Sequence, residues 1–414
     1  MTSSDPGMPT WTYHADRDTI VSEPHARPSI PIGGQDEVFH LGLTCGREAR
    51  AALLDILGIA SDEQSARHWM AQRDGYRLKL EQHTEFVSIT LVCAQGAPGG
   101  VCSDLLARIA ATPNIEVLSL TRVVMNAPSD GAKAPPQTRL FGGIMRGGME
   151  VRSSLAPDAS GFITYDVRAP DGSPGEVGRR VQRLIEMETY RTLSLLGLPM
   201  ARRTGEDLAR YESGLIDIVN GMSSDQPGND EKLFEGLSRL LQDSNALRAS
   251  TRFRFAASRA YYNLVLQRLD SLEEAKLDDL QTLNGFVRSR LDPSMATIES
   301  VATRQKTLID DLSQALSLLR TRIDLAVNRD NQASLKSLDA RNRQQVMIAQ
   351  TVEGLSAVAI TYYAVGLLSY VLKSVSSNLP VPVSHTTLVA ISVPVVLIAV
   401  WTSLHRMRAK WHKD

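Results

Sequence analysis

His83 and Glu85 stand two residues apart, so in an extended strand their side chains leave the same face. A histidine beside a carboxylate can ligate a metal ion or move a proton near neutral pH. Glu23, His25 and Arg27 precede the run Pro28-Ser29-Ile30-Pro31-Ile32, which its prolines hold extended. Brought together, His25, Arg27, His83 and Glu85 form a candidate ligand-binding cluster. The alternative is that they make buried hydrogen bonds that dock the N-terminal segment on a sheet. No third ligand stands at a diagnostic spacing, so no metal is assigned.

A second set lies near the C-terminus. Glu353 is the last acidic residue before a long uncharged stretch, next to Thr351 and Gly354. In a ring of subunits it would put several carboxylates at a pore mouth, where they attract cations. Thr361 is a polar residue between Val358 and Val365, positioned to touch a passing hydrated ion or to bond back to its own helix. Val365 and Leu368 would make such a path narrow and apolar. The candidate cation path is thus Glu353, Thr351, Thr361 and Val365, with a divalent cation as the one ligand to consider and no organic cofactor.

Other charged groups read as structural. Glu186, Glu188, Tyr190 and Arg191 share one helical segment, and Arg252, Arg254 and Arg259 another. Groups at these spacings form ion pairs between neighbouring helices, with an anion-binding patch as the sharper alternative. No Gly-rich phosphate loop and no Ser/His/Asp or Cys/His nucleophile signature is present, so the chain does not read as an enzyme. A tethered hydrolase using His25, His83 and Glu85 is the weakest of the readings.

These residues need elements to hold them. The stretches Gly354–Leu372 and Ser384–Leu404 hold 19 and 21 residues without Asp, Glu, Lys or Arg. Each is close to the ~20 apolar residues that cross a hydrocarbon core as a helix. Lys373–Val383 between them suits a short outer turn. Arg406, Arg408, Lys410 and Lys413 follow the second stretch, and positive residues collect on the cytoplasmic side. The expectation is a two-span hairpin in the inner membrane, with both termini cytoplasmic and the bilayer as partner.

Lys+Arg 45 against Asp+Glu 46 gives a net charge of −1, which offers no basic field to nucleic acid. Met1–Val21 is polar and lacks the apolar core of a signal peptide. Cys45, Cys93 and Cys102 have no metal-ligand spacing and read as reduced cytosolic thiols.

The fold class expected is α+β: a cytoplasmic mixed α/β domain, a long-helix stalk and a two-helix C-terminal transmembrane hairpin. Residues 1–22 form a flexible tail and 23–175 the α/β domain, followed by a helical domain over 176–292. The stalk takes 293–353, the spans 354–372 and 384–404, the outer turn 373–383 and the basic tail 405–414. Strands are predicted at Glu85–Cys93, Ile115–Met125, Arg139–Met145, Met149–Ser154 and Phe162–Arg168, with helices at Glu48–Leu57 and Cys102–Ala110. Ala127–Gln137 is a surface loop.

After Pro174 the pattern turns helical. Breaks are expected at Gly197-Leu198-Pro199 and Ser223–Asp230, and a new helix at Asp292-Pro293. An unbroken helix from Ser294 to Leu372 would span roughly 120 Å at 1.5 Å per residue. Ile309, Leu312, Leu316, Leu319, Ile323 and Ala326 form a heptad seam that continues in register into the first span. The seam serves packing within the chain or self-association, and a homo-oligomer is expected.

Several segments resemble a bacterial family of uncharacterised membrane-anchored proteins, classed as a domain of unknown function. They are Glu23-Pro-His-Ala-Arg-Pro28, His83-Thr-Glu-Phe86, Leu184–Pro199, Arg252–Tyr262, Leu319-Arg-Thr-Arg322 and Gln350–Ser356. The resemblance spans nearly the whole chain and implies no known activity. The architecture also resembles CorA-type divalent cation channels, homo-oligomers whose first span lines the pore. Their Gly-Met-Asn signature is absent from Gly366–Lys373, which puts magnesium selectivity in doubt. The readings that follow are a CorA-like cation channel, or an anchored sensor or scaffold whose α/β domain binds a ligand or partner.

Overall fold

The computed structural model describes residues 12–411 except 23–27, 61–62, 64–66, 74, 95–99, 127–138, 171, 224–228 and 377–383. Glu23, His25, Arg27, the loop Ala127–Gln137 and most of the outer turn therefore lie outside the described residues. The chain forms two compact units, residues 1–316 and 317–414.

The first unit is built on a mixed nine-stranded sheet, ordered β2-β3-β4-β1-β5-β8-β7-β6-β9. Its strands are β1 (Asp36–Cys45), β2 (His68–Arg73), β3 (Tyr76–Gln82), β4 (Val87–Ala94), β5 (Ile115–Met125), β6 (Phe141–Met145), β7 (Met149–Pro157), β8 (Ile163–Arg168) and β9 (Ala275–Lys276). All pairings are antiparallel except β5 with β8. The β6–β7 hairpin turns at Gly147-Gly148, where φ is 76° and 75°, a conformation that glycine adopts without a Cβ clash.

Each face of the sheet buries a different layer. Leu41, Leu43, Leu78, Leu80, Ile89 and Leu91 pack under α2 (Arg47–Ile56) and α3 (Val101–Ala110), through Leu53, Leu54, Leu105 and Ile109. Val38, Val92, Val123, Tyr165 and Val167 face α4 (Pro174–Leu195), whose Val181, Leu184, Ile185 and Met187 are buried. The same core includes Phe255 and Val265 of α6 (Asn229–Leu272) and Leu283, Val287, Leu291, Met295 and Ile298 of α7 (Leu283–Ser376). α5 (Gly197–Met222) follows α4 directly, with the boundary at Leu196, and α1 (Arg17–Ser22) forms a short helix within the tail expected to be flexible.

Three expectations are corrected. α7 does not begin at Pro293: it begins at Leu283 and carries Pro293 inside it. Its start is capped by Thr282, whose hydroxyl accepts the Gly285 N–H at 3.1 Å, and by the Glu274 carboxylate, which accepts the Leu283 and Asn284 N–H groups at 2.7 and 2.8 Å. A cap supplied from ten residues upstream outweighs the breaker signal of Asp292-Pro293. Helix is likewise interrupted between Leu272 and Leu283, where β9 pairs with β6. The cysteines are not all reduced: Cys93 of β4 and Cys102 of α3 form a disulfide, leaving Cys45 free.

In the second unit, α7 runs on to Ser376 and α8 covers His385–Trp411. Both helices contain a stretch long and apolar enough to cross a membrane, with mean hydropathy of 1.7 and 1.9. Most side chains of both are exposed, including Val358, Tyr362, Tyr363, Leu367, Val395 and Ile398. Within these stretches the covered positions are Ala357, Thr361, Ala364, Val365, Gly366, Leu368, Ser369 and Leu372 on α7, and Leu388, Val389, Ser392, Val396 and Val400 on α8. These recur at steps of three and four, and most of the small ones among them, Ala357, Thr361, Ala364, Gly366 and Ser369, lie on α7, which suits close helix packing in lipid.

Candidate functional site

Between the sheet and α4 lies a face that is polar where a core face is normally apolar. Strand register places Lys79, Thr90, His40 and Thr121 side by side on β3, β4, β1 and β5. Glu81, Ser88, Gly42 and Ser119 form the next row. Lys79 is 3% exposed, His40 4% and Glu81 8%. Burying charge is costly unless it is paired, and it is: Lys79 Nζ lies 3.2 Å from Glu81 Oε1, with His68 Nδ1 at 3.5 Å from the same oxygen. His40 Nδ1 is 2.9 Å from Thr90 Oγ1. Burial, only partly countered by Glu81, lowers the His40 pKa to about 4, so its ring is neutral at pH 7.

Above this face opens a cleft of about 620 Å³. Its floor is His40, Glu81, Ser88 and Thr189; one wall is His83, Phe86 and Tyr190, and α4 contributes Arg179, Gln182, Arg183 and Glu186. Glu186 is ion-paired with Arg268 of α6. Arg183 donates to the Ser271 carbonyl at 3.3 Å, and among the described residues neither Arg179 nor Arg183 has a carboxylate partner within 4 Å. The cleft therefore carries an excess of positive charge at its α4 side. Its rim is bounded by Pro28 and Ser29, and the segment that follows is anchored by the Ile32 N–H donating to the Pro174 carbonyl at 2.9 Å.

His83 and Glu85 do not share a face. Both lie in the turn between β3 and β4, which begins only at Val87. The His83 ring stacks on Phe86 at 4.1 Å and its Nε2 is 3.3 Å from Ser88 Oγ, inside the cleft. Glu85 turns away to Arg254 of α6, at 2.6 Å. Tyr261, stacked on Tyr190 at 5.9 Å, has its pKa pushed up by burial and then by Glu85. Among the described residues no three His, Cys, Asp or Glu side chains come together as a metal site.

The charged helical residues act as bridges between elements. Glu188, 1% exposed, accepts the Tyr165 hydroxyl at 2.8 Å and is paired with Arg191. Burial and then Glu188 raise the Tyr165 pKa, so the phenol stays protonated. Arg259 pairs with Glu299 of α7 at 3.1 Å.

On the proposed cation path, Glu353 is half-buried, Thr351 is exposed and its hydroxyl donates to the Met347 carbonyl at 2.8 Å. Thr361 is 7% exposed and its hydroxyl donates to the Ala357 carbonyl at 2.8 Å. Val365 is half-buried beside it. Sequence reasoning missed the cleft because its floor comes from three strands and α4. The one local signal was on α4, where Arg179/Arg183 and Gln182/Glu186 recur at i,i+4 among apolar residues.

No curated protein matches the chain. A family model does, described as a protein of unknown function (DUF3422), and it matches residues 12–411. The chain belongs to that family, DUF3422.

Proposed function

We propose that the protein is a membrane-anchored binding protein whose sheet–α4 cleft takes a small anionic ligand, with no catalytic step of its own. The observation that carries this reading is the cleft itself, with Arg179 and Arg183 on one side and the His83–Phe86 stack on the other. Guanidinium groups without carboxylate partners recognise carboxylates and phosphates, and the stacked pair offers a flat surface to a planar group. The anchor is the two apolar helices, oriented by the basic tail with both termini cytoplasmic in the inner membrane. The Cys93–Cys102 disulfide pulls towards an oxidising compartment instead. Reporters fused after residue 10, between Ser376 and Asn378, and after Asp414 decide between the two orientations.

The test of ligand binding uses the full chain in phosphatidylcholine nanodiscs, titrated with phosphate, citrate and adenosine monophosphate. At least one should raise the melting temperature saturably, and Arg183→Gln should abolish the shift. No shift with any of the three ends this reading.

Self-association is part of the same proposal. Leu325, Leu335, Leu338, Val346 and Met347 are exposed on α7 ahead of the span, an apolar surface that a second copy would cover. Ile309, Leu312 and Leu319 of the heptad are buried, which supports packing within the chain for that part of the seam. Light scattering of the nanodisc-free protein should give more than one copy per particle, and a monomer sinks the idea.

A CorA-like cation channel is the second reading. It is favoured by α7 being one helix that contains both core residues and the apolar stretch. The burial of Thr361 weighs against it, since a path-lining hydroxyl must face the ion. Entry of Mg²⁺, Co²⁺ or Ni²⁺ into protein-containing liposomes, lowered by Glu353→Gln, would restore the channel reading.

A further inference from the structure

A groove of about 460 Å³ lies between α6 and α7, and it shares no residue with the sheet cleft. The two helices run antiparallel there, with Thr251 opposite Gln305 and Arg259 opposite Glu299. The groove is polarised along its length. At one end stand Arg248, Arg252 and Lys306, none of which has a carboxylate partner within 4 Å among the described residues. Phe255, Ala256, Ile298 and Ala302 line its middle. The far end is closed by the Arg259–Glu299 pair, at 3.1 Å, with Met295 and Asn263 beyond it.

Gln305 lies on the floor at the basic end. It is 3% exposed, the Thr251 hydroxyl lies 3.2 Å from its Oε1 and 3.1 Å from the Leu247 carbonyl, and among the described residues its Nε2 has no hydrogen-bond partner. A buried amide donor left unpaired costs about 1–3 kcal/mol, so such a group in a native fold calls for an explanation. A ligand oxygen at that end of the groove supplies one. The volume also falls in the ~300–1,000 Å³ range of small-molecule sites.

We propose that this groove binds a small organic anion: a carboxylate or phosphate head on an apolar body. The head sits among Arg248, Arg252 and Lys306 and accepts from the Gln305 amide, while the body lies along Phe255, Ala256, Ile298 and Ala302. Three uncompensated cations select the charge, and the apolar strip selects against a bare inorganic ion. The lengthwise order of the two features fixes the ligand's direction. The site stands whether or not the sheet cleft binds anything.

The experiment is calorimetric titration of the full chain in phosphatidylcholine nanodiscs with 4-phenylbutyrate and with phenyl phosphate, using empty nanodiscs as the blank. At least one should bind saturably, at least about tenfold more tightly than 4-phenylbutanol or inorganic phosphate. Arg252→Gln, at an exposed position, should weaken binding about tenfold, consistent with loss of one charge-assisted contact. Gln305→Leu should weaken it severalfold while leaving the melting temperature unchanged or raised, since it removes the orphan amide. The proposal is overturned if neither anion binds, if the neutral alcohol binds as tightly, or if both variants bind like wild type. Loss of binding in Arg183→Gln with Arg252→Gln unaffected assigns the anion to the sheet cleft and equally overturns it.

Discussion

The main chain at Ile30 crosses α4 at Gly178 so closely that a Cβ on Gly178 would lie 2.0 Å from the Ile30 carbonyl oxygen. Only a residue without a side chain allows this crossing, and it is what holds the segment that borders the cleft. Gly178→Ala must push the segment off or shift the helix. We expect a loss of roughly 1–3 kcal/mol in denaturant unfolding. Faster amide exchange at Ile32, whose N–H donates to the Pro174 carbonyl, should accompany it. Unchanged exchange there would contradict the strap's dependence on Gly178.

His40 makes stability depend on acid. Its folded pKa of about 4 is below the ordinary 6.5, so between these values the unfolded chain holds the extra proton. The contribution is fully present above pH 6.5 and is lost as pH falls towards 4. At ~1.4 kcal/mol per unit it amounts to about 3 kcal/mol. His40→Gln, which can still bond Thr90, should flatten the pH dependence of unfolding across this window; an unchanged slope would mean that another group carries it.

Arg191 neutralises a carboxylate that has almost no access to water. Arg191→Leu leaves Glu188 charged and buried, and should cost about 3–5 kcal/mol. The triple change Arg191→Leu, Glu188→Leu, Tyr165→Phe removes the whole polar group and should recover most of that loss. If the triple variant is as unstable as the single one, packing rather than charge is responsible.

The disulfide is open to counting. Alkylation of the unfolded, unreduced protein should find one reactive thiol, Cys45, and three after reduction. By loop-closure entropy the short bridged segment contributes roughly 2–3 kcal/mol, so Cys102→Ser should lower stability by that order under oxidising conditions only. Three reactive thiols before reduction would show that the bond does not form.

Sequence periodicity located β5 to the residue and β4, β6, β7, β8, α2 and α3 within a few residues, because each buries one clear apolar set. β1 was missed for the opposite reason. It lies at the centre of the sheet with both faces buried, so Val38 and His40 alternate with Phe39 and Leu41 and no period of two survives. β3 alternates well, but Arg77, Lys79 and Glu81 look like a solvent face, and nothing local says that α4 covers Lys79 and Glu81. The cleft was illegible for the same reason: His40, Glu81 and Ser88 are neighbours only across strand pairings, and its other wall comes from α4. The two apolar helices were legible from composition alone.

α7 supplies Leu283, Val287, Leu291, Met295 and Ile298 to the sheet's helical layer and then, in the same helix, the apolar stretch. On a ribosome adding roughly 5–20 residues per second, β1 waits on the order of tens of seconds for these core residues to be made. During that interval the apolar stripe of α4 has only part of its final cover. The apolar stretch from Gly354 follows Ile298 by 56 residues, roughly 3–11 s later at that rate. The residues that complete the core are thus all made before the membrane stretches, and any fragment ending before α7 is left with an open core.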